Sequence, residues 1–458
     1  LIGEAKLGAV KTASRTALSS TRYSSESIGR ILFGLYCLDA AVDFHSSEEA
    51  GNTYQVVMGS LSCLAFILFA LNARRTKAAL PRLRRVTWLW WIYLASTPLV
   101  AYMRAYGYMH YLRVALPQFL MGTSLIMGYI LLNESRKNSV LIFKGLFYCS
   151  LISTVIHLIQ GLTSGYSVEN LRYFIASPLL IIMVSFSLYR LIFEGARSGL
   201  LNLTALTSGL GIVCFTVTRT FYASLASILL SIAVVLIRPP AWLKRRMRRR
   251  TVWNLLLFSA ILGLLGAAMV ITFPDVLSHW SERSSTLGTR DATTLIRISE
   301  AAGEIETMES DTSHLLLGSG LGSEHKYDER FLIGVSEAKE EAAGVNYSPG
   351  HVGWIYQFYA SGLLLGWVFL FVFAFSIWKG NSPRASYVGR MAGIALIAVF
   401  VTSTFGNMLG ERSGGLVVGF LIALALYSIE GQEEQKTSRI VRAVRMSTLP
   451  APALRGEL

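Results

Sequence analysis

Apolar residues fill the chain in long runs, and short polar clusters break those runs at intervals that suit membrane crossing. A helix needs about 20 apolar residues to span the ~30 Å hydrocarbon core of a bilayer. Runs near that length predict twelve spans, at residues 28–44, 53–72, 86–102, 112–132, 139–160, 172–189, 199–217, 220–237, 253–273, 352–377, 387–406 and 415–429. The first carries Asp39 and Asp43, the last is short, and the pair across 199–237 is broken only at Thr218-Arg219-Thr220.

One connection differs from the rest. Residues 274–350 run for 77 residues and hold 14 of the 28 acidic residues against 6 basic ones. Within them, TTLIRISEAAGEIETM places Leu295, Ile298, Ala302, Ile305 and Met308 at helical spacing, which predicts an amphipathic helix in an ordered cap on the membrane surface. The expected fold is all-α and polytopic, with spans one to nine in residues 28–273 and ten to twelve in 351–429. Residues 274–350 form the large extracytoplasmic loop, and 1–27 and 430–458 are cytoplasmic tails.

Composition agrees with this pattern. A 458-residue chain that is 53% hydrophobic and only 15% charged is too apolar for a soluble protein of its size. A net charge of +14 could point to nucleic acid, but the positions of the charges argue against it. With the N-terminus inside, the inner segments carry 30 Lys and Arg, while the short outer segments carry only Arg104, Arg113, Arg172, Arg219 and Arg412. Basic loops resist translocation, so both termini are expected in the cytoplasm. The run KRRMRRR at 244–250 is then a topology determinant that touches anionic headgroups, and no nucleic-acid partner is expected. Cys37, Cys63, Cys149 and Cys214 all lie in apolar segments and form no CxxC spacing, so neither a disulfide framework nor a metal site is predicted. The chain starts on Leu1, and its Ser-rich first 25 residues hold no compact apolar run, so no cleavable signal peptide is expected there.

Arginines on the outer side need a reason, since each costs a few kcal/mol near the bilayer (roughly 2.5 to 3.5 at a helix centre). Arg172, Arg219 and Arg297 are candidates to bind a lipid-linked phosphate or diphosphate, because guanidinium forks pair bidentately with phosphate oxygens. Snorkelling to headgroups is the alternative. The Gly-rich LLLGSGLGS at 315–323 lacks the GxxxxGK[ST] form and reads as a turn closing the loop helix. His351 follows Pro349-Gly350 and opens an apolar run. Its imidazole could cap a helix, or could take a proton from a sugar hydroxyl. His314 and His325 fall in the loop with no comparable anchoring.

Three motifs, in order and spacing, resemble the O-antigen ligase and polymerase superfamily of bacterial envelope proteins. TRTFYASLASILL matches its arginine-led helix opening and places Arg219. RISEAAGEIETMESDTSHLLLGSGLGS matches its loop helix with a following Gly-x-Gly run and places Arg297. HVGWIYQFYASGLLLGWVFLF matches its histidine-led helix and places His351. Two positions depart from the family pattern: Val352 stands where Asn commonly follows the histidine, and Glu300 or Ala301 where an aromatic residue is usual.

The resemblance implies a glycosyltransferase of the bacterial inner membrane that works at its outer face without metal or cofactor. The donor would be a glycan on undecaprenyl diphosphate, and the acceptor a saccharide or a lipid A core. Arg219 and Arg297, with Arg172, would bind the diphosphate, and His351 would act on the acceptor hydroxyl. Polymerase is favoured over ligase, with a chain-length regulator or flippase as partner proteins. The competing reading is a flippase or secondary transporter, in which Asp39 and Asp43 would couple protons.

Overall fold

The computed structural model describes residues 28–43, 48–72, 80–104, 108–135, 137–163, 174–195, 199–216, 218–239, 248–272, 292–332, 352–406 and 408–427. These residues are all helical in architecture, with no strand among them. The helices are α1 (28–41), α2 (Glu48–Asn72), α3 (Pro81–Met103), α4 (Tyr108–Glu134), α5 (Asn138–Thr163), α6 (Leu180–Glu194), α7 (Leu200–Thr216), α8 (Arg219–Ile237), α9 (Arg248–Thr272), α10 (Ala292–Ser310), α11 (Thr312–Leu317), α12 (Gly353–Gly380), α13 (Tyr387–Phe405) and α14 (Arg412–Tyr427).

Six of them are long and apolar enough to cross a membrane: His110–Glu134, Asn138–Thr163, Arg219–Ile237, Thr251–Thr272, Gly353–Gly380 and Tyr387–Phe405. Val57–Asn72, α7 and α14 are shorter apolar helices. The outer faces carry Leu71, Trp88, Leu99, Leu162, Leu230, Ile237, Leu264 and Ile271, all well exposed. So large an apolar exterior would drive association in water, and it suits hydrocarbon. The chain is a membrane protein.

The expected run at 172–189 is shorter as a helix, because α6 starts at Leu180. Pro178 is the reason: its ring disfavours helical backbone at Ser177, so a helix does not continue back through it. What remains, LIIMVSFSLYRLIFE, is buried almost throughout and packs against α5, α7, α8, α9 and α13. α14 is buried just as deeply. Its Gly415 and Gly419 lie against the α4 backbone, where an added Cβ would come 2.1 Å from Pro117 O and 2.3 Å from Met121 O. Small residues that let backbones touch are the usual glue between helices in lipid. Inside α3, Pro98 removes the donor for Leu94 O, and the Thr97 hydroxyl fills that place at 3.0 Å.

Charge also ties the bundle together. Arg412, at the start of α14, lies 2.7 Å from Asp39 of α1 and 3.6 Å from Asp43 just past its end, and its side chain is 2% exposed. It donates to the carbonyls of Asp39 and Val42 at 3.2 and 3.0 Å. Asp43 accepts from Ser413 N at 2.8 Å, and Asp39 accepts from Ser62 of α2. The acidic pair that could have served proton coupling is thus engaged by an arginine from the far end of the chain. Removing one partner of a buried pair strands the other charge, so Arg412→Ala should lower stability by about 3–5 kcal/mol. Arg412→Met combined with Asp39→Asn and Asp43→Asn should recover most of that loss. Thermal melts in detergent distinguish the two, and equal losses would contradict the pairing.

Candidate functional site

The large loop is fastened to the bundle where α12 is broken. Gly362 has φ 64° and ψ 179° inside an otherwise helical run, a conformation open to glycine at little cost. The break parts the carbonyls of Tyr359 and Ala360 from the donors that a continuous helix would give them at Leu363 and Leu364. The loop supplies replacements: Ser319 N donates to Tyr359 O at 2.8 Å and Gly320 N to Ala360 O at 2.9 Å. Contact is so close that a Cβ on Gly362 would lie 2.4 Å from Gly318 N, and one on Gly318 would lie 2.5 Å from Ala360 O. The GSGLGS run is therefore a docking strip laid into a broken helix, rather than only a turn closing α11.

Neighbouring groups hold the strip. Arg104, just past α3, donates from Nε to Gly318 O at 3.2 Å and from Nη2 to Ser313 Oγ at 3.0 Å. Gly322 N donates to the Tyr356 hydroxyl at 3.2 Å, and the Tyr359 hydroxyl donates to Glu324 O. Close to the break lies a buried polar network. Tyr93 of α3 donates to Gln118 Oε1 of α4 at 2.8 Å, Gln118 Nε2 donates to Gln357 Oε1 of α12 at 3.3 Å, and Ser361 Oγ is 3.2 Å from the Tyr93 hydroxyl. Trp90 Nε1 adds a bond to Gln118 O at 3.1 Å. Gln118 and Gln357 were not singled out in the sequence, although each is an amide inside an otherwise apolar run.

α10 forms where the amphipathic pattern places it, but it turns a different face inward. Leu295 and Met308 are buried as expected, whereas Ile298 and Ile305 are 43% and 42% exposed. Ser299, Glu300, Gly303 and Glu304 take the inward positions instead. They face the return segment 323–328, where Asp328 N donates to Ser299 O at 2.9 Å and Ser299 Oγ donates to Asp328 O at 2.8 Å. This segment also brings in His325, which is 1% exposed and ringed by Tyr327, Tyr356 and Tyr359 at centroid distances of 6.0 to 6.4 Å. His325 is therefore firmly anchored, against the sequence expectation. Burial first, and then the nearby Glu300 charge, hold the Glu304 carboxyl well above the usual carboxylate range.

The predicted site residues fall as follows. Arg297 is half-buried on α10, one turn before Glu300. Arg219 is the first residue of α8 and is exposed. Arg172 and His351 lie outside the described residues. Two anchors relate the starts of α8 and α12. Trp354, three residues after His351 in sequence, stacks on Phe400 of α13 at 4.2 Å and donates to Phe400 O and Thr404 Oγ1 at 3.2 and 3.1 Å. Ser224, one turn into α8 from Thr220, pairs with Thr402 of the same α13 at 2.8 Å. The N-terminal parts of α8 and α12 thus both pack on the C-terminal part of α13, and α10 and α11 pack on α12.

No known family model matches the chain, and no curated protein matches it either.

His314, in α11 just before the docking strip, gives a pH signature. His314 Nδ1 is 3.2 Å from Ser319 Oγ. Partial burial, and then the positive charge of Arg104, push its pKa below the ordinary imidazole value, while Asp311 pulls the other way. A depressed histidine contributes stability above its unfolded pKa of about 6.5, and that contribution is lost as pH falls through the folded value. Thermal melts between about pH 5 and pH 8 should therefore fall off more steeply on the acid side in the wild type than in His314→Gln. Equal slopes would contradict the assignment.

Proposed function

We propose that the chain is an integral-membrane glycosyltransferase of the O-antigen ligase and polymerase kind, with polymerase favoured because the His-Asn dipeptide is replaced by His351-Val352 and the loop is large. In this reading twelve spans thread the bacterial inner membrane, both termini are cytoplasmic, and the docked loop faces outward. The donor is a glycan on undecaprenyl diphosphate, and the acceptor is a saccharide or a lipid A core.

The acceptor oxygen attacks the anomeric carbon, and the bond from that carbon to the diphosphate oxygen breaks. His351 takes the proton from the acceptor hydroxyl. Arg219 and Arg297, with Arg172, bind the diphosphate and stabilise the charge that grows on it as it leaves. Guanidinium forks suit this better than ammonium groups, because they meet two phosphate oxygens at once.

The observation that supports this reading is the shared end of α13. It gathers the start of α8, which carries Arg219, and the start of α12, which follows His351 in the chain, while the glycine strip holds the Arg297 helix alongside. Three separated motifs thereby belong to one end of the bundle. The pairing of Asp39 and Asp43 with Arg412 leaves less for a proton-coupled transporter to use.

The test is purified protein given lipid-linked oligosaccharide, with and without a lipid A core acceptor. Elongation without the core identifies a polymerase, one transfer onto the core identifies a ligase, and no transfer sinks the enzyme reading. Arg219→Ala, Arg297→Ala and His351→Ala should each cut transfer by about 100-fold or more without loss of folded protein, and Arg219→Lys should restore little.

A further inference from the structure

Glu300 and Glu304 stand one turn apart on the inward face of α10, and the return segment lowers His325 onto them. His325 Nε2 is 2.8 Å from Glu300 Oε1, with both side chains at 1% exposure or less. One potential ligand atom from each of Glu300, Glu304 and His325 lies within 4.8 Å of the other two. Glu304 is itself 1% exposed, and neither of its carboxylate oxygens has a hydrogen-bond partner among the described residues; the same holds for His325 Nδ1. Buried carboxylates are ordinarily paired or metal-bound, and no arginine or lysine among the described residues is hydrogen-bonded to Glu304.

We propose that Glu300, Glu304 and His325 bind one divalent transition-metal ion of the zinc class, as a structural clip between α10 and the return segment. One imidazole with two carboxylates is a donor set that zinc accepts, with water in a fourth position. Calcium and magnesium prefer all-oxygen surroundings with six or more ligands, so the imidazole argues against them. The ion would neutralise the two acidic groups that burial otherwise penalises.

The supporting shell is in place around this group. Gly303, between the two glutamates, lets the return backbone close in, since a Cβ there would sit 1.9 Å from Lys326 O. The paired bonds between Ser299 and Asp328 fix the register, and the three tyrosine rings fence the imidazole. A ligand set drawn from a helix and from a segment about 25 residues away closes that length of chain when it is occupied. The clip braces the helix that carries Arg297 and touches no step of the proposed transfer, so it stands independently of that reaction.

The test uses full-length protein purified in detergent without a polyhistidine tag, stripped with EDTA, and then given zinc, manganese or magnesium separately. Metal per chain is measured by mass spectrometry, and the melting temperature is followed in parallel. About one zinc per chain should bind and raise the melting temperature, with magnesium doing neither. Glu304→Gln and His325→Gln should lose zinc by more than the ~10–100-fold typical of losing a supporting group alone. If a variant fails to fold, wild-type protein still decides the matter. An EDTA-stripped chain whose melting temperature does not move on adding zinc overturns the proposal, as does undiminished zinc binding by folded Glu304→Gln.

Discussion

A carbonyl left unpaired inside an apolar helix bundle costs several kcal/mol, and the break at Gly362 parts two of them, on Tyr359 and Ala360, from their helical donors. Ser319 and Gly320 satisfy them from the large loop. Much else follows from that exchange. The strip must be glycine-rich to come close enough, and Arg104 can then reach its carbonyl. α11 and α10 are held against α12, and the return segment is brought over α10 so that His325 sits among tyrosines from both α12 and the loop. The polar network of Tyr93, Gln118, Gln357 and Ser361 lies next to the break and joins α3, α4 and α12 through side-chain hydrogen bonds.

A second constraint acts at the ends of the chain. Arg412 reaches Asp39 across 373 residues of sequence and ties α14 to α1. Both constraints obey the same rule: polar groups inside the bundle are tolerated where a partner from a distant segment meets them. α6 and α14 are buried almost throughout by apolar side chains, and close glycine contacts stand in for the hydrophobic drive that lipid does not supply.

Most of the helices were legible in the sequence because long apolar runs announce themselves, although six of the described helices, rather than twelve, are long and apolar enough to cross a membrane, and α7 and α8 part where Thr218 and Arg219 suggest. The loop helix was legible too, but its inward face was not. Period alone points Ile298 and Ile305 inward, whereas Ser299, Glu300 and Glu304 go there because their partner is the polar backbone and histidine of the return segment. Pro178 could have shortened the sixth run on the page. The role of the glycine strip could not be read there, since a Gly-x-Gly pattern states that backbone comes close to something without saying to what. Arg104 and Arg412 belonged to the same small set of arginines expected on the outer side as Arg219, and that set was the signal; Arg104 and Arg412 are held by partners far away in sequence.

The central claim is that the strip is part of the bundle rather than a loop lying over it. Amide hydrogen exchange at Ser319 and Gly320 in the detergent-solubilised protein tests it most directly. Protection comparable to the amides of α12 is the expected result, because both N–H groups are donated to buried carbonyls. Exchange as fast as that of a free chain at these two amides, with α12 still protected, would contradict the account.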